Sequence, residues 1–187
     1  MSLDNYILEF RKCLSTSMCE KIISYHNHDL TDSAITDPVN PINKNIRNCT
    51  RKNILDPKTF GETLLLNYVK SKLTGCLKKY LETFPHCITT EFSQLDILCY
   101  ESNEYKAGYN FHVDFGKTAN NRTLSISVCL NNDYKGGEFV FHQPGSNNLV
   151  YPQNIGDVII FPSSFMFPHQ VNKIESGTRF ALVGWAV

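Results

Sequence analysis

The sequence shows no excess of charge, no long apolar run and no paired cysteine motif, and each absence excludes a class of protein. Its 187 residues carry 18 basic and 18 acidic side chains, so no net field draws the chain to nucleic acid or to a membrane surface. No run approaches the ~18–20 apolar residues of a bilayer-spanning helix. The opening Met1-Ser2-Leu3-Asp4-Asn5 lacks the basic patch and apolar core of a secretory leader. The seven cysteines (Cys13, Cys19, Cys49, Cys76, Cys87, Cys99, Cys129) are odd in number, scattered and without a C-x-x-C pair. A disulfide framework is unusual in a chain of this length and would leave one thiol over. The expectation is a cytoplasmic protein with buried, reduced thiols. Internal repeats and low-complexity tracts are also missing.

What is present is 42% hydrophobic and 12% aromatic, in a length that suits one domain spanning residues 1–187. Residues 1–91 read as helical support with a long loop. Ser17-Met18-Cys19-Glu20 has capping-box spacing, with Ser17 as N-cap. Residues 27–56 lack periodicity and contain Asp37-Pro38 and Asn40-Pro41, which predicts a loop long enough to be functional. Asp56-Pro57 then opens a second helix with Pro57 in its first turn. Its apolar stripe runs Phe60, Leu64, Leu65, Tyr68, Val69, Leu73, Leu77, Tyr80, Leu81, Phe84, and Pro85 stops it.

From Phe92 the apolar period changes to two. Runs at 92–100, 109–113, 123–131, 138–142, 148–151, 157–161, 169–174 and 179–187 read as strands. Breakers such as Gly108, Gly136-Gly137, Pro144-Gly145 and Gly177 separate them. The pattern predicts a mainly β (α+β) chain, a barrel or two-sheet jelly roll backed by the N-terminal helices.

Three features carry chemistry. In His112-Val113-Asp114 the imidazole and the carboxylate are two apart, so on a strand they share a face. His169 follows Pro168 at the start of a predicted strand, and Arg179 interrupts an otherwise apolar one. Burying that charge unpaired costs several kcal/mol. Two histidines and one carboxylate on adjacent strands make a facial triad that leaves one side of a non-haem Fe(II) open. Arg179 would then grip the far carboxylate of a two-oxygen chelator.

Taken with their neighbours, these residues resemble the Fe(II)/2-oxoglutarate-dependent dioxygenases, most closely the prolyl 4-hydroxylase-like branch. The resemblance runs from Phe92 to Val187. It includes Tyr100, Tyr109-Asn110-Phe111-His112-Val113-Asp114, Arg122-Thr123-Leu124-Ser125-Ile126, Leu130-Asn131 and Gly136-Gly137-Glu138-Phe139. It continues through Gly156-Asp157-Val158, His169-Gln170-Val171, Gly177-Thr178-Arg179-Phe180 and Trp185. It implies a double-stranded β-helix with a catalytic core at 92–187. His112, Asp114 and His169 would be the iron ligands, Arg179 the 2-oxoglutarate anchor, Tyr100 a wall of the cosubstrate pocket and Tyr109 a substrate-side residue. Fe(II), 2-oxoglutarate and O2 would be the cofactor and cosubstrates, with ascorbate as reductant. The implied reaction hydroxylates an unactivated C–H bond, with prolyl residues of a peptide or protein as the favoured substrate, and releases succinate and CO2. Arg47-Asn48-Cys49 only loosely resembles a family segment, and Cys129 stands where many relatives carry a tyrosine that helps hold the cosubstrate. Arg122 reads equally well as a surface charge, and Trp185 as pocket wall or plain core.

Other readings remain at this level: a hydroxylase of a free amino acid or small metabolite, and a non-catalytic jelly-roll binding module. His26, His28, His86 and His142 are read as non-ligands. The cationic run Lys44, Arg47, Arg51, Lys52 reads as a solvated loop or a landing site for an acidic partner.

Overall fold

The computed structural model describes residues 3–35, 40–102, 106–116, 119–143, 145, 147–152 and 154–187. Asp37-Pro38 and Pro144 lie outside these. A seven-stranded antiparallel sheet forms the base, in the order β1 (Leu8–Phe10), β11 (Val158–Pro162), β7 (Leu124–Cys129), β14 (Thr178–Ala186), β5 (Phe92–Glu101), β4 (Thr50–Asn53), β2 (Thr31–Asp32). A five-stranded sheet faces it, in the order β10 (Leu149–Tyr151), β9 (Phe139–Phe141), β12 (His169–Val171), β6 (Gly108–His112), β3 (Arg47–Asn48). A small ribbon pairs β8 (Lys135–Gly136) with β13 (Ile174–Ser176). The result is the predicted jelly roll.

Alternation along the base strands sends successive side chains to opposite faces. Leu95, Ile97 and Cys99 of β5 and Phe180 and Leu182 of β14 point to the helical side. There they join Val69, Leu73, Leu77 and Tyr80 in one core. Leu98, Tyr100, Ile159 and Phe161 point the other way, toward Phe139, Phe141 and Val171 of the facing sheet. The base sheet is therefore covered on both faces, by the helices on one and by the facing sheet on the other.

The helices are α1 (Thr16–His26) and α2 (Phe60–Thr83). The N-cap of α1 is Ser15, in extended conformation, whose hydroxyl accepts from the Met18 N–H; Ser17 lies already inside the helix. The cap of α2 is Thr59 rather than the Asp56-Pro57 pair, because Thr59 and Glu62 close a reciprocal capping box. Phe60 and Leu64 are exposed, so the apolar stripe is wider than the buried face. Residues 27–56 are more than a loop. They supply β2, β3 and β4, whose polar sequences hide the pairing of β4 with β5, of β3 with β6 and of β2 with β4. The short β1 carries no clear sequence signal either.

The cationic run in this segment is largely satisfied within the protein. Lys44 pairs with Asp32 at 3.2 Å, Arg51 with Asp96 at 2.8 Å and Lys52 with Glu62 at 3.1 Å. The Lys44–Asp32 pair is half exposed, in keeping with a solvated loop. Among the described residues no helix is long and apolar enough to cross a membrane.

Glu62 is the polar hub beneath α2. Its carboxylate accepts from the Lys58 N–H at 2.7 Å, the Thr59 N–H at 3.0 Å and Lys52 Nζ at 3.1 Å. These contacts, the Lys58 N–H foremost, outweigh burial and pull its carboxyl from an ordinary 4.5 down to about 2. A carboxyl depressed by folding stabilises the fold fully above its ordinary pKa and loses that contribution as pH falls through the folded value. Glu62→Gln should lower the unfolding free energy at pH 7 by about 1–3 kcal/mol. It should also flatten the fall in stability between pH 4.5 and about 2. Urea denaturation across that range measures both effects.

Candidate active site

Register sets the site. On one side of β12, His169 lies opposite Phe141 of β9, and on the other it lies opposite His112 at the end of β6. Asp114 follows two residues after His112, where the chain leaves the strand. His112 Nε2 comes within 3.7 Å of Asp114 Oδ1, and His169 Nε2 within 3.6 Å of Asp114 Oδ2. One donor atom from each residue lies within 4.8 Å of the others; among the described residues this is the one cluster able to hold a metal ion.

Each donor is held from behind. Nδ1 of His112 faces the Asn110 carbonyl at 2.9 Å, and Nδ1 of His169 faces the Phe167 carbonyl at 3.1 Å. A carbonyl can only accept, so both Nδ1 atoms carry the proton and both Nε2 lone pairs point to the shared centre. Asp114 Oδ2 accepts from the Ser125 hydroxyl at 2.6 Å, and Ser125 in turn contacts the Ser163 hydroxyl at 2.8 Å. Burial, with the neighbouring His169, lowers His112 to about 3. Burial opposes ionisation of Asp114, but the two imidazoles and Ser125 more than offset it and hold the carboxyl below its usual range. An ionised carboxylate beside two imidazole nitrogens is a donor set suited to a divalent metal. Donors about 2.0–2.2 Å from one ion sit about 3–4 Å from each other, so the observed spacing fits a metal.

The cluster opens into a cavity of about 250 Å³ lined by Tyr100, Tyr109, Arg122, Arg179, Trp185 and others. Arg179 is only 2% exposed. It is paired in register with Tyr100 across β14 and β5, with its guanidinium 5.3 Å from the Tyr100 ring centre. Tyr109 stacks on His112 with ring centres 3.5 Å apart. Thus all six candidate residues meet around one space.

Several contributors escaped the sequence reading. Ser125 was legible in principle: Leu124-Ser125-Ile126-Ser127-Val128 alternates apolar and polar in a strand buried on both faces. Arg47 stacks over Tyr109 at 4.6 Å, giving the layered order His112, Tyr109, Arg47. Arg122 lies 3.6 Å over Trp185 and donates to the Asp114 carbonyl and to Gln94, which makes both residues cavity wall. At the Cys129 position, the Tyr134 hydroxyl meets both the Cys129 thiol and the Arg179 guanidinium. Gly137 leaves room for this cluster: its φ is +68°, and a Cβ there would lie 3.0 Å from Arg179 Cδ. Three of the four remaining histidines have partners elsewhere. His26 lies 3.6 Å from Glu62, His28 contacts Lys52, and His142 contacts Asn148.

The sequence profile described as "2OG-Fe(II) oxygenase superfamily" matches residues 95–187. Through these residues the chain belongs to the 2OG-Fe(II) oxygenase superfamily. A PKHD-type hydroxylase of Prochlorococcus marinus is 33% identical over 91 residues, covering 47% of this chain and 40% of that protein. The chain spans about two-fifths of the length of the curated relatives it matches. Two solved structures share the fold over nearly all of it. A Trichoplax adhaerens prolyl hydroxylase, in complex with a hypoxia inducible factor peptide fragment, gives a TM-score of 0.81 at 16% identity, covering 97% of this chain and 83% of that one. A Pseudomonas putida prolyl-4-hydroxylase gives 0.75 at 14% identity, covering 97% and 91%.

Two substitutions test the metal site. His112→Ala should abolish binding of Fe(II), or of Co(II) as a spectroscopic substitute. Ser125→Ala, which frees the carboxylate to rotate, should weaken binding by about 10–100-fold. Anaerobic metal titration reads both.

Proposed function

We propose that this chain is an Fe(II)/2-oxoglutarate-dependent dioxygenase that hydroxylates an unactivated C–H bond, on a prolyl residue of a peptide or protein, and releases succinate and CO2. The convergence of His112, Asp114 and His169 in a cavity that also holds the buried Arg179 carries this reading. The prolyl assignment is supported by the prolyl hydroxylases that share the fold.

Each residue then has a task. His112, Asp114 and His169 bind Fe(II) on one face and leave the other open. Arg179 pairs with the far carboxylate of 2-oxoglutarate and so orients its chelating end toward the iron. Tyr134 replaces the family tyrosine that Cys129 displaces, holding the guanidinium in place. Tyr100 walls the cosubstrate side. Tyr109 and Arg47 cover His112 at the mouth and shape what enters. When bound, Fe(II) with 2-oxoglutarate and O2 supplies the oxidation of the C–H bond, and ascorbate restores iron lost to oxidation. The protein itself contributes positioning and the exclusion of stray reductants.

Aerobic turnover with Fe(II), 2-oxoglutarate and a library of proline-containing peptides should release succinate and add ~16 mass units to a prolyl peptide. Oxygen incorporation into free amino acids alone would replace the peptide assignment with the small-metabolite one. Intact protein that takes up no iron would leave only a binding module.

The cosubstrate end is separately testable. Arg179→Ala should raise KM for 2-oxoglutarate at least ~10-fold, the scale of a lost charge-assisted pair. Tyr134→Phe should raise it ~2–10-fold with kcat unchanged, the scale of one hydrogen bond. Calorimetric binding of 2-oxoglutarate should rank the variants in the same order.

A further inference from the structure

Far along the chain from each other, Cys13 and Cys76 are brought together by the fold, 63 positions apart in sequence. Cys13 sits between β1 and α1 in a segment tied down on both sides. The Lys12 N–H donates to the Asp157 carboxylate at 2.8 Å, and the Leu14 N–H to the Gly156 carbonyl at 3.1 Å. Cys76 lies on the buried face of α2. Their sulfur atoms are 3.1 Å apart, about 1 Å beyond the 2.03–2.05 Å of a disulfide bond. Both are free thiols, Cys13 half-buried and Cys76 buried.

The two thiols differ in character. The Cys76 hydrogen bond, with Lys72 and Lys79 nearby, outweighs burial and lowers Cys13 to about 7, while Cys76 is pushed well up. An accessible thiolate beside a protonated partner is the arrangement in which oxidation is selective. Burial raises the thiols of Cys19, Cys87, Cys99 and Cys129, which makes them poor nucleophiles.

We propose that Cys13 and Cys76 are a peroxide-oxidisable dithiol, which closes to a disulfide that clasps α2 to the corner between β1 and α1. The Cys13 thiolate attacks one oxygen of hydrogen peroxide, the O–O bond breaks, and hydroxide leaves, giving a sulfenic acid. Once Cys13 is oxidised, its thiolate no longer holds the Cys76 proton, and Cys76 ionises beside Lys72 and Lys79. The Cys76 thiolate attacks Cys13 Sγ, the S–O bond breaks, and the departing hydroxide takes up that proton and leaves as water. The thiols lose two electrons and the peroxide is reduced to water. The cross-link closes a long loop and restricts the unfolded chain. A reducing thiol reopens it. The iron site takes no part, so this inference stands or falls apart from the proposed activity.

The test treats the reduced chain of residues 1–187 with hydrogen peroxide in the presence of a chelator, then alkylates the remaining thiols and maps peptides by mass. The expected product is a cross-linked pair joining residues 13 and 76, about 2 Da lighter than the dithiol, reversed by dithiothreitol. The oxidised form should melt several degrees higher. Cys13→Ser should lose both effects, and Cys76→Ser should leave a dimedone-reactive sulfenic acid at Cys13. Alkylation of both cysteines after peroxide treatment, a bridge between other cysteines, or the same melting shift in Cys13→Ser would overturn the proposal.

Discussion

Everything in this fold depends on a sheet that is covered on both faces. Along β5, β14, β7 and β11, one set of alternate residues meets the helices and the other set faces the second sheet. The inner face encloses the cavity, and the polar groups buried around it are held by protein partners. Asp96 takes Arg51 and Gln94, Ser125 takes Asp114 and Ser163, and Arg179 takes its place beside Tyr100 and Tyr134. Polar residues in such a strand come at a cost. Here they mark the chemistry.

The smaller sheet adds precision of position. Because β12 pairs with both β6 and β9, His169 is fixed from two sides by backbone ladders. Phe139, Phe141 and Phe161 then surround its ring, with centres 5.0–5.9 Å away. A side chain wedged among aromatic rings and hydrogen-bonded to the Phe167 carbonyl has few rotamers to lose on binding a metal, so little entropy opposes binding.

Much of this architecture is legible in the sequence because alternation and turn residues are local signals. The long strands β5, β7, β11 and β14 announce themselves through their apolar runs. His112, Asp114, His169 and Arg179 stand out as polar residues where a strand should have none. What stays hidden is set by distant partners. The residues of β2, β3 and β4 are polar; β4 and β3 form strands on the edges of β5 and β6, and β2 then adds to β4. Ser17 and Pro57 are plausible helix starts displaced by Ser15 and Thr59, whose backbone geometry and partners decide the matter. The Cys13–Cys76 contact has no local signature at all.

The short segment from Arg47 to Asn53 contributes β3 to one sheet and β4 to the other, changing sheets at Cys49. It works as a stitch across the open seam of the jelly roll, and it lies wholly outside the span that the superfamily profile matches. Two proteins can therefore share the entire metal-bearing half and still differ in the stitch. Selectivity at the mouth can then evolve without disturbing the ligands beneath it.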